Sequence, residues 1–165
     1  MNPVELGGDP DEWRGFADEP LPGWASRSLT LFDAPAGKLA DDTPVECGVL
    51  SVPFDGTASS RIGAREGPRA IREASLVYSA QLASRGAMQL RNTRTGALVD
   101  IHARQLVDFG DGHTYASDPA RQVRASAAEV RRVASKSQLT VLIGGEHTLS
   151  YPWYCGVAAA LAARG

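Results

Sequence analysis

Three short apolar runs, each followed by a polar loop and then a stretch of helical period, set the rhythm of the chain. "VECGVLSVPF" (45–54) is rich in valine and closed by Pro53, which predicts a strand buried on both faces. The loop "DGTASSRIGAREG" (55–67) follows. Pro68 can then take a first helical position, and Ile71, Ser75, Tyr78 and Leu82 predict a helix over 68–84 with that side on a sheet. "QLRNTRTGALVD" (89–100) predicts a hairpin or a surface excursion, and "QLVDFGDG" (105–112) a second strand. Asp118 is placed to cap a helix that has Pro119 at its first position and Val123, Ala127, Val130 and Ala134 as its stripe. "QLTVLIGG" (138–145) is the clearest strand signal. Pro152 should start the last helix, with Tyr154, Val157, Ala158 and Leu161 on one side and Gly165 as its cap.

Strands alternating with helices imply an α/β fold: a parallel sheet with right-handed crossovers, helices on both faces and ligands at the carboxyl ends of the strands. The loops 53–67, 108–117 and 144–151 all leave such ends. Asp55, Arg61, Arg65, Asp108, Asp111, His113, Glu146 and His147 are therefore expected to share one rim. Residues 1–44 lack a sustained period but hold Trp13, Phe16, Trp24, Leu29, Leu31 and Phe32, which predicts an irregular arm draped over a surface, its own or a neighbouring subunit's.

Composition narrows the chemistry. A formal charge of −2 and scattered arginines leave no basic surplus for phosphates, so nucleic acid is not an expected partner. No segment approaches the about 20 apolar residues that crossing a bilayer needs, and the acidic, Gly- and Pro-containing start does not resemble a signal peptide. Cys47 and Cys155 form neither a disulfide framework nor a metal knuckle, which fits reduced thiols in a cytoplasm. Cys155, in a helix, is expected to be a buried filler and not a nucleophile. No strand is followed by a dinucleotide or phosphate-loop fingerprint, so NAD and ATP are not expected.

The candidate chemistry lies in "LIGGEHTLSYP" (142–152), where Gly144 and Gly145 allow a sharp turn and Glu146 and His147 can face a cation. Spacing alone leaves two readings of His147 open, a metal ligand or a histidine of the turn, because one imidazole does not make a site. Asp108, Asp111 and His113 of "VDFGDGH" admit oxygen-rich coordination or, as the simpler reading, a turn whose side chains bond their own backbone. Asp55, Arg61 and Arg65 either line a cleft or pair with one another to hold their loop.

Taken together, "GVLSVPFDGTASSRIGAREGPRAIREAS" (48–75), "VDFGDGH" (107–113) and "LIGGEHTLSYP" (142–152) resemble the N-terminal half of the ureohydrolases, the arginase and agmatinase family. The family usually has proline where Ile62 stands and often aspartate in place of Glu146. The resemblance covers about residues 45–165. It implies a three-layer α-β-α fold with a parallel sheet, usually in homo-oligomers, and a binuclear centre, commonly Mn²⁺ with Ni²⁺ an alternative. There a bridging hydroxide attacks a guanidinium carbon to release urea and an amine, as in polyamine metabolism.

The resemblance makes His147 a metal ligand and extends to no other ligand position. The family's D-x-H-x-D and later D-x-D motifs do not follow His147 here. The chain is accordingly expected to be an incomplete arginase-like domain, agmatinase-like but inactive by itself, that associates with copies of itself or with a missing C-terminal half. The alternative is a non-catalytic α/β fragment or interaction module.

Overall fold

A computed structural model describes residues 29–40, 42–84, 89–100 and 106–164. The predicted Gly165 cap and the aromatic residues Trp13, Phe16 and Trp24 of the arm lie outside them. Three parallel strands make the main sheet: β1 (Val45–Val52) in the centre, β4 (Leu106–Asp111) on one side and β5 (Ser137–Gly144) on the other. Helices α1 (Gly67–Ser84), α2 (Pro119–Lys136) and α3 (Ser150–Ala162) follow β1, β4 and β5 in turn. The segment 89–100 is a hairpin, β2 (Gln89–Arg91) antiparallel to β3 (Leu98–Asp100).

Alternation along the strands divides the helices between two faces. Leu50 of β1 and Phe109 of β4 join Val130 and Val133 of α2 in the main core. Gly48 lets α2 come close, since a Cβ there would lie 2.6 Å from Val133 Cγ1. The intervening Asp108 turns the other way, where Arg72 of α1 meets it. Ala127 and Ala128 of α2 pack on Cys155 of α3, as expected for a buried thiol filler. The α2 stripe follows its sequence pattern, with Ala127, Val130 and Ala134 buried and Asp118 accepting a bond from the Arg121 amide.

Two other stripes do not. On α1, Ile71 and Tyr78 are exposed, and the buried positions are Pro68, Arg72, Ser75 and Ser79. That face packs against carboxylates and a backbone strap, so charge pairing and hydroxyl bonds replace apolar contact. On α3, Tyr154 and Leu161 are exposed, while Pro152, Cys155, Gly156 and Ala160 are buried, because small residues allow α3 close to α2. A Cβ on Gly156 would lie 2.6 Å from the Ala127 carbonyl oxygen. The helix also starts at Ser150, two residues before Pro152, after a 3-10 turn over His147–Leu149.

Residues 29–40 contain only a short 3-10 turn, Leu31–Asp33, and form the strap. The Phe32 amide donates to Ser75 Oγ at 2.8 Å, and Asp108 exchanges backbone bonds with Pro35 and Gly37. The strand order has a functional consequence. From β1 the chain leaves toward the α1 face, and from its neighbour β5 toward the α2–α3 face, the kind of strand pair at whose carboxyl ends open α/β sheets place ligands.

Candidate functional site

The loop after β1 (53–66) and the loop after β5 (145–149) meet at the carboxyl ends of the two strands, and backbone contact sets their distance. The Gly145 amide donates to Val52 O at 3.2 Å and the Glu146 amide to Phe54 O at 3.0 Å. A Cβ on Gly145 would overlap the Phe54 carbonyl oxygen, so this glycine is required by close approach. Leu149 is buried against Val52 and Phe54, anchoring the far end of the turn. His147 therefore stands on the rim of a short, tightly held loop.

Its side chain is exposed, and its hydrogen bond is made at Nδ1, 3.1 Å from Ser150 Oγ. The contact admits either tautomer: Nδ1–H donating to Ser150 leaves the lone pair on Nε2, and the Ser150 hydroxyl donating to Nδ1 leaves the proton on Nε2. The neighbouring Glu146 faces the other loop: Oε1 accepts from the Thr57 amide at 3.2 Å and, in a short contact, from the Thr57 hydroxyl. An open groove of about 670 Å³ runs from Glu146 and His147 along β5, with Leu142, Ser150, Trp153 and Tyr154 among its walls.

The other rim residues are committed to structure. Asp55, 2% exposed, accepts from the Gly63 amide at 2.6 Å and the Arg65 amide at 3.2 Å and pairs with the Arg65 guanidinium at 2.7 Å. The Gly63 amide first, then Arg65, holds its carboxyl below its ordinary pKa against the opposing effect of burial. Gly63 supplies the left-handed backbone, φ 127°, that turns its amide to this carboxylate. The pairing reading of Asp55 and Arg65 is the one observed, and Arg61 is exposed outside that pair.

Asp108 and Asp111 are both held by Arg72. The guanidinium meets Asp108 at 2.8 and 2.9 Å and Asp111 at 2.5 Å. Burial lowers the Arg72 pKa, but the bonds to Asp108 and Asp111 outweigh it and the net shift is upward. Asp108 also accepts from the amides of Leu31 and Gly110, both at 2.8 Å, which is the turn reading. His113 Nδ1 lies 2.6 Å from Glu129 Oε1 on α2, and its ring stacks on Tyr115. Asp108 and Asp111 lie within β4 and not in the loop after it, and these groups tie that strand and its exit to the strap, α1 and α2.

Sequence reasoning missed Arg72, Thr57, Thr148 and Ser150. A signal existed for the first, since positions 72, 75 and 79 repeat at helical spacing as a polar stripe. Nothing local marks Thr57, whose partners lie about 90 residues away.

Among the described residues no three His, Cys, Asp or Glu side chains converge where they could hold a metal ion. His147 contributes one donor, which by itself does not make a centre. Among the described residues, too, no helix is long and apolar enough to cross a membrane.

Known proteins are similar to this chain in sequence and in fold. The chain is 34% identical over 103 residues to N(1)-aminopropylagmatine ureohydrolase of Thermococcus kodakarensis, covering 61% of this chain and 31% of that protein. It is 33% identical over 135 residues to formimidoylglutamase of Halobacterium salinarum, covering 78% and 39%. The crystal structure of a hypothetical agmatinase from Burkholderia thailandensis superposes with a TM-score of 0.64 at 25% identity, over 79% of this chain and 38% of that one. The chain thus spans about a third of the length of the curated relatives it matches. The Arginase family model matches residues 45–164, from the first residue of β1 to past the end of α3, and the polypeptide belongs to that family.

Proposed function

We propose that this chain takes part in an agmatinase-like ureohydrolase reaction, the metal-dependent hydrolysis of agmatine or a similar guanidino compound to urea and an amine. One observation carries the reading: His147 stands exposed on the loop after β5, in an open groove lined by β5 and α3, with its ring hydrogen-bonded at Nδ1 to Ser150. Family membership and the names of the relatives, N(1)-aminopropylagmatine ureohydrolase and agmatinase among them, supply the substrate class. His147 is the metal ligand of this chain. The ion this reading calls for is Mn²⁺, with Ni²⁺ an alternative; His147 would hold it together with ligands that the described residues do not supply, and a completed binuclear centre would supply an acidified water.

The described residues bring one donor, so the reading calls for further carboxylate and imidazole groups to join His147. Copies of this chain, or a polypeptide supplying the remaining ligands, are the partners, and the cytoplasm is the compartment. The test is urea release from agmatine by the protein recovered with its cellular partners and loaded with Mn²⁺, beside His147→Ala. Loss of bound manganese and of most urea release in the variant is expected. Unchanged metal content and turnover overturn the ligand assignment, and urea release by the 165-residue chain unaided overturns the need for an assembly.

A further inference from the structure

We propose that Thr57 is a positioning residue that clamps the His147 loop on both sides, acting through Glu146 and Thr148; its link to catalysis rests on the function proposed above. Thr57 lies in the loop after β1, 89 residues from Glu146 and 91 from Thr148, yet it bonds both neighbours of His147. Its hydroxyl and amide both donate to Glu146 Oε1. A hydroxyl has one hydrogen, and an ionised carboxylate can only accept. The Thr57 proton therefore goes to Glu146, and the 2.9 Å contact between Thr57 Oγ1 and Thr148 Oγ1 is donated by Thr148. The relay runs Thr148 to Thr57 to Glu146, and the imidazole rises between its two fixed ends.

These groups are solvent-exposed or half-buried, so the relay adds little to global stability. What it constrains is local. The Gly145 and Glu146 amides bond Val52 O and Phe54 O on the β1 side, and Leu149 and Ser150 close the turn back onto Glu146 and His147. Without Thr57 the loop keeps those backbone bonds but loses the side-chain tie to the loop after β1.

Amide exchange and imidazole nitrogen resonances of the full 165-residue chain, recorded without metal, test this directly. Thr57→Val should speed exchange at Gly145, Glu146, Leu149 and Ser150 by about fivefold or more and shift the His147 ring signals. Its Tm should move by less than about 2 °C, and Thr57→Ser should restore both local signatures. Unchanged exchange and ring signals in Thr57→Val overturn the proposal. So does uniform acceleration across the sheet with a large fall in Tm, which marks a merely structural role, and so does failure of serine to rescue. Since no metal enters the measurement, a failed ligand assignment for His147 leaves this result readable by itself.

Discussion

Arg72 of α1 grips both carboxylate oxygens of Asp108 on β4, at 2.8 and 2.9 Å, and the two residues are 3% and 1% exposed. Thirty-six positions separate them in sequence. The pair ties the helix after β1 to the neighbouring strand, and the third contact, to Asp111, places the same cation at that strand's carboxyl end.

Removing one partner of a buried pair strands the other charge. Arg72→Met should destabilise the fold by about 3–5 kcal/mol in urea titration. Adding Asp108→Asn should recover part of that loss, because the amide removes the stranded charge, although its single oxygen can serve only one of the Leu31 and Gly110 amides, which bond different oxygens of Asp108. A double variant as unstable as Arg72→Met would show that the cost is lost packing of the arginine stem.

Gly145→Ala drives a methyl group into the Phe54 carbonyl, which is backbone and cannot swing aside. A cost of about 1–3 kcal/mol is expected, together with displacement of the loop that holds His147. Thermal unfolding reads the first and the His147 imidazole resonances the second. Wild-type values for both would mean that β1 and β5 separate easily at their ends.

Asp55 gives stability a pH dependence of fixed sign. Its folded-state carboxyl lies below its ordinary pKa, so its contribution is complete above the usual carboxylate range and is lost as pH falls through the lowered value. Wild type should exceed Asp55→Asn in stability at neutral pH, and the gap should start to narrow below about pH 4 and close only as pH falls through the lowered value. A gap that stays constant with pH would assign the difference to packing.

The outer edge of β5 pairs with no strand among the described residues, and Leu139 on it is 59% exposed. Unpaired edges of this kind template association. The 165-residue protein should self-associate with rising concentration in sedimentation velocity, and Leu139→Lys should suppress this with little change in Tm. Equal association in both would place the contact elsewhere, for instance on the exposed Ile71 and Tyr78 of α1.

The order of strands and helices was legible in the sequence, because a two-residue period and a 3.6-residue period are local properties of the chain. Val45–Val52 and Leu106–Asp111 lie within the stretches 45–54 and 105–112, Ser137–Gly144 starts one residue before the stretch 138–145, and Asp118 with Pro119 marks the start of α2. The glycine pair before Glu146 and His147 marked the loop of interest in the same way.

Which side of α1 and α3 is buried, and what each rim carboxylate does, was decided only in three dimensions. Apolar side chains at 71, 78, 154 and 161 predicted faces that are exposed, because burial is set by the surface a helix meets. For α1 that surface is Asp108 and the strap, and for α3 it is the alanine face of α2. Asp108 became structural through an arginine 36 positions away, and Glu146 through a threonine 89 positions away. Charge pairing and hydrogen bonding act over a few ångströms of space, whereas the sequence records distance only along the backbone.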